Sequence, residues 1–90
     1  MKVLQSAIFR RTVKKLHKNQ KSSLDRAVRK LMKDPEAGQL KKGDLAGVRV
    51  YMFKAKTQQY LLAYTLDTRK TTMTLLALGT HENFYRDIKR

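Results

Sequence analysis

Residues 48–66 read VRVYMFKAKTQQYLLAYTL. Up to Met32 the apolar residues recur at helical intervals; in this stretch the period changes. VRVYMFKAK has enough β-branched and aromatic side chains to predict a strand from about Val48 to Ala55. KTQ supplies a turn. YLLAYTL is apolar on both faces, which predicts a central strand. DTRK then reads as a hairpin loop, and TTMTLLAL as a last strand from Thr71 to Leu78, stopped by Gly79. Three strands in succession make an antiparallel meander, and a lone meander cannot bury its own apolar side. The residues before it must cover one face.

Those residues are helical and basic. KVLQ, at the start, is a possible short strand. From Ser6, the residues Ala7, Ile8, Val13 and Leu16 fall roughly on one side of a helix. Arg10, Arg11, Lys14, Lys15 and Lys18 fall largely on the other. NQKSS interrupts the pattern, and Ser22 with Asp25 has the form of a capping box opening a second helix. Leu24, Ala27, Val28, Leu31 and Met32 follow at i, i+3, i+4, i+7 and i+8, an amphipathic stripe. Arg26, Arg29, Lys30 and Lys33 lie away from it. Pro35 forces Asp34 out of helical geometry and ends the helix. EAGQLKKGDLAG is a turn-rich loop. The order predicts an α+β fold over one domain, residues 1–90: a helical hairpin packed on a small twisted antiparallel β-sheet, with the other sheet face open.

Composition narrows the partners. The 21 Lys and Arg against 7 Asp and Glu give a net charge of +14 in 90 residues. Residues 1–34 hold eleven basic and two acidic residues, a balance of +9. Such an excess suits a polyanion, an acidic protein, or each in turn. The cations of the two helices, Arg10, Arg11, Lys14, Lys15, Lys18, Arg26, Arg29, Lys30 and Lys33, are the expected RNA-binding residues. With no cysteine, disulfides and thiolate-bound metals are excluded. No run approaches the ~18 apolar residues of a membrane span, so a soluble, cytoplasmic chain without a membrane partner is expected.

Catalytic signatures are sparse. His17 and His81 lack metal-ligand spacing, no glycine loop is shaped for phosphate, and no serine sits in a nucleophile turn. Neither a cofactor nor a metal is expected. RNA, however, carries its own nucleophile in the 2′-hydroxyl. Its cleavage needs proton transfer and fixed positive charge around phosphorus. Histidine is the side chain type suited to proton transfer near neutral pH, which makes His81 a candidate for that role. Tyr85 can donate a proton or stack on a base. Arg49, Lys54 and Lys56 can hold a phosphate, Arg49 by a bidentate fork. Each has a plainer reading: Arg49 as a solvent-face strand residue, the lysines as solvated charges, His81 as a turn residue, and Tyr85 as a tail anchor.

Taken together, FRRTVKKL, LDRAVRKLMKDPEAGQLKKGDLAGVRVYMFK, QQYLLAY and LGTHENFYRDIKR resemble the RelE/ParE superfamily of bacterial toxins from type II toxin–antitoxin systems. The resemblance spans nearly the whole chain. It implies a cognate antitoxin that wraps and neutralises the toxin, expected here to be acidic and partly disordered. RelE-like members enter the ribosome and cut mRNA without a metal, leaving 2′,3′-cyclic phosphate and 5′-hydroxyl ends. ParE-like members inhibit DNA gyrase without catalysis. On the first branch Lys54, Lys56, His81 and Tyr85 fall near the family's functional positions. The nucleases commonly carry an arginine directly after the tyrosine of the third strand. This chain has Leu61 after Tyr60, leaving Arg49 or Arg69 to replace it. The leading expectation is an mRNA endoribonuclease; the alternative is a gyrase inhibitor.

Overall fold

The VRVYMFKAK and QQYLLAYTL segments form the hairpin on which the sheet is built. A computed structural model describes residues 1–67, 69 and 71–80. In chain order its elements are β1 (Lys2–Gln5), α1 (Ala7–Lys14), α2 (Lys18–Lys33), β2 (Gln39–Leu40), a 3-10 turn (Gly43–Leu45), β3 (Arg49–Ala55), β4 (Gln58–Asp67) and β5 (Thr72–Gly79). The sheet order is β1-β5-β4-β3-β2. All neighbours are antiparallel except β1, which lies parallel to β5. The α+β class stands, and the expected three-stranded meander is its centre. KVLQ, expected as a possible short strand, is β1, although its parallel pairing departs from the expected antiparallel sheet. The one added strand is β2, two residues long and too short to leave a periodicity to read.

Alternation along the strands separates two faces. Towards the helices point Tyr51, Phe53 and Ala55 of β3, Tyr60, Leu62 and Tyr64 of β4, and Met73, Leu75 and Leu78 of β5, all within one core. Leu75 and Leu78 are three apart, yet share that face because the β4–β5 register slips at Ala63/Tyr64. The extra residue of this bulge re-aims the strand. The bulge is also where α1 is fastened. Ser6 accepts the Phe9 N–H at 3.0 Å and donates its hydroxyl to the Leu76 carbonyl at 2.6 Å. One side chain thus caps α1 and joins it to β5.

The helices bury Phe9, Leu24, Ala27 and Leu31, with Leu31 fully enclosed. Two sequence expectations change here. On α1 the buried residue is Phe9, with Val13 and Leu16 packed beside it, whereas Ile8 is 48 % exposed. The Ser6 cap sets the phase that turns the larger ring inward. On α2, NQKSS does not interrupt: it forms the first turns of the helix, which begins after His17. The His17 N–H donates to Gln20 Oε1 at 2.7 Å. Ser22 and Ser23 instead bond back to the carbonyls of Lys18 and Asn19, each at 3.2 Å. Serine can cap a helix or bond back within one, and residue spacing alone does not choose between them. Met32 closes the predicted stripe but is 44 % exposed.

The far face was expected to be open. Instead Val50, Leu61, Ala63 and Ala77 form a second buried cluster there, with Val48 and Leu76 packed against it. The rows across this face are Gln39–Val50–Ala63–Ala77, then Met52–Leu61–Gly79, then Lys54–Gln59.

Candidate functional site

The third row marks the end of the sheet where the sequence placed its strand cations. Lys54 is exposed on the far face beside Met52, which is 56 % exposed. Lys56 follows in the two-residue link from Ala55 to Gln58, with φ +57°. A left-handed conformation at a non-glycine residue costs roughly 1–2 kcal/mol, so the structure carries mild strain at a cation. The hairpin is held from behind. Phe53 and Tyr60 stack across the strands at 5.7 Å and 19°. Gln20 donates Nε2 to the Tyr60 hydroxyl at 2.7 Å. Gln20 therefore ties the start of α2 to the hairpin and fixes the base from which Lys54 and Lys56 project. Nothing in the spacing of Gln20 and Tyr60 pointed to that pair.

Arg49 is not brought to these lysines. It shares the helix-side face with Tyr51 and Phe53, opposite to Lys54, and stands across from Tyr64. Its Nη1 donates to the carbonyls of Gly38 at 2.9 Å and Glu36 at 3.3 Å, and its Nη2 lies 3.7 Å from Glu36 Oε1. Tyr64 completes the latch: its hydroxyl donates to the Pro35 carbonyl at 2.7 Å and accepts the Gly38 N–H at 2.9 Å. Burial pushes the Tyr64 phenol above its ordinary value, against the lowering effects of the Gly38 N–H and the Arg49 charge. A Cβ at Gly38 would stand 2.5 Å from the Tyr64 hydroxyl. Arg49 therefore secures the loop after α2, a role matching neither the phosphate-binding nor the solvent-face expectation. The clue available in sequence was the glycine in EAGQL.

Arg69, the other candidate replacement, lies beyond Asp67, whose carboxylate accepts its backbone N–H at 3.0 Å. At ~3.3 Å per strand residue, most of the length of β4 separates that end from the Lys54–Gln59 row. His81 and Tyr85 lie outside the described residues. The nine helix cations named above are all exposed. Among the described residues no group of three or more His, Cys, Asp or Glu is arranged to hold a metal ion. No helix among them is long and apolar enough to cross a membrane.

Comparison with known proteins gives this arrangement a family. Residues 3–89 match the family described as ParE-like toxin of type II bacterial toxin–antitoxin system. The chain belongs to this family of toxins. The toxin has the fold found in the crystal structure of the intact E. coli RelBE toxin–antitoxin complex. The two chains are 15 % identical with a TM-score of 0.71, over 88 % of this chain and 94 % of that one. No protein of curated function matches the toxin's sequence. Within the toxin, the position expected to carry an arginine is Leu61, 6 % exposed in the second apolar cluster and paired with Met52.

Proposed function

We propose that this toxin is a ribosome-dependent mRNA endoribonuclease whose reaction centre lies at the β3–β4 hairpin end of the sheet. The supporting observation is the row Met52–Leu61–Gly79, next to Lys54–Gln59. The chain leaves β5 at the sheet end where Lys54 and Lys56 stand. Covalent reach of about 3.6 Å per residue is enough for His81 to serve the same phosphate. In the reaction the 2′-oxygen bonds to phosphorus as the bond to the 5′-oxygen breaks. His81 takes the 2′ proton and Tyr85 supplies one to the leaving oxygen. Lys54 and Lys56 offset the charge that grows on the non-bridging oxygens. A cognate antitoxin with an acidic, partly disordered segment neutralises the toxin.

The test is a purified translation reaction with mRNA ends mapped after the toxin is added. New 5′-hydroxyl ends within ribosome-bound codons are expected. His81→Ala should slow their appearance by about 10²-fold or more, with antitoxin binding retained. Intact mRNA at full toxin occupancy would sink the reading.

One observation favours a second reading, non-catalytic inhibition of DNA gyrase: an apolar, buried Leu61 cannot act as a phosphate-binding charge. Inducing the toxin separates the two. Prompt translation arrest supports the nuclease, whereas persistent gyrase–DNA cleavage complexes support the inhibitor.

A further inference from the structure

The outer side of α2 holds a concavity of 390 Å³ lined by Arg26, Arg29, Lys30, Lys33 and Asp34. The cations stand at i, i+3, i+4 and i+7, so the helical period stacks them in one stripe roughly 10 Å long. All four are exposed, and among the described residues none has a carboxylate within salt-bridge distance. Arg26 Nη2 donates to Ser23 Oγ at 3.2 Å, which steadies one guanidinium without neutralising it. Like charges at these spacings repel. The negative end of the helix offsets that only for Lys30 and Lys33 in the last turn. The stripe is therefore poised for a polyanion. Its lining also discriminates between partners. A protein interface centres on apolar or aromatic anchors, and this concavity has none. A phosphodiester backbone needs only cations at intervals. Asp34 closes one end of the stripe.

We propose that this cleft is a sequence-independent grip for single-stranded RNA backbone, separate from the hairpin centre. Arg26 to Lys33 lie roughly 10–20 Å along α2 from Gln20, the residue that touches the hairpin. The grip does not depend on cleavage and would persist if the nuclease reading failed.

The experiment measures binding of the purified toxin to a fluorescent 20-nucleotide oligouridine by anisotropy, over a series of salt concentrations. The variant replaces Arg26, Arg29, Lys30 and Lys33 with Gln, which preserves helix propensity. Affinity should fall tenfold or more at 0.1 M salt. The slope of log affinity against log salt should become shallower by about 3, at ~0.7 for each phosphate no longer neutralised. The pairs Arg26→Gln/Arg29→Gln and Lys30→Gln/Lys33→Gln should each give about half the change, which keeps the test decisive if the fourfold variant fails to fold. An unchanged slope overturns the proposal. So does an equal loss on replacing Arg10, Arg11, Lys14 and Lys15 of α1 with Gln, which would mean diffuse charge rather than a cleft. If the α2 variant loses polyglutamate but keeps oligouridine, the cleft serves an acidic protein and the proposal falls. If the wild-type cleft grips oligouridine while mRNA stays intact in the translation reaction, the grip stands and the nuclease reading does not.

Discussion

Tyr64 shows how much one side chain can decide. It is fully buried, yet its hydroxyl serves both a donor and an acceptor in the loop after α2. Tyr64→Phe should cost about 1–3 kcal/mol, because both loop groups lose their partner; urea unfolding measures it. Gly38→Ala should cost a similar amount, about 1–3 kcal/mol, from overpacking against the ring. Alkaline pH adds an independent check. The folded phenol titrates above the ordinary 10.0. The protonated form is thus favoured by folding, and its contribution is whole below that value. It is lost as pH rises from there through the raised pKa. The stability of wild type should fall more steeply above pH ~10 than that of Tyr64→Phe. Lys56 gives the opposite case. Glycine relieves its positive φ, so Lys56→Gly should leave stability unchanged or raise it by up to ~1 kcal/mol. On the nuclease reading, cleavage in the translation assay should drop.

At the scale of elements, the start of α2 is the instructive one. Were Ser22 a helix cap, Ser22→Ala would cost about 1 kcal/mol. In the structure Ser22 is exposed within the helix and bonds back to Lys18, so the change should instead stabilise by a few tenths of a kcal/mol. Ser6→Ala should do the reverse, costing about 1–2 kcal/mol through the α1 cap and the unpaired Leu76 carbonyl. Thermal melts of the two variants should move in opposite directions. Strand identity was legible in the sequence because apolar content and period over residues 48–78 are strong signals. The strand β2, the pairing of β1 and the bulge were not, since pairing partners and a one-residue slip are fixed by contacts across the sheet.

At the scale of the whole molecule, charge is the dominant feature. A net +14 steers acidic partners by long-range attraction, which salt screens. Association with the antitoxin should slow markedly as salt rises, with a smaller change in the dissociation rate. Stopped-flow mixing at several ionic strengths checks this, and a salt-insensitive on-rate would exclude steering. The same scale explains why the candidate site was only partly legible. Lys54 and Lys56 could be placed from their strand, because neighbours in sequence remain neighbours at a hairpin end. For Arg49 the odd spacing from Lys54 on one strand already implied opposite faces. What the sequence could not give was its contact with the Gly38 and Glu36 carbonyls, which depends on how the loop after α2 folds back.

The sequence by itself determined the fold class, the central strands and the basic helices, since each depends on composition or on periodicity within a short window. The family came instead from the resemblance of several segments taken together along nearly the whole chain. Tertiary structure decided which side chains meet: Arg49 with the Gly38 and Glu36 carbonyls, Gln20 with Tyr60, Leu61 in an apolar cluster, and four α2 cations around one cleft. Those pairings depend on register and on how the helices dock. Both are set by contacts between residues far apart in the chain, and a local pattern does not record them.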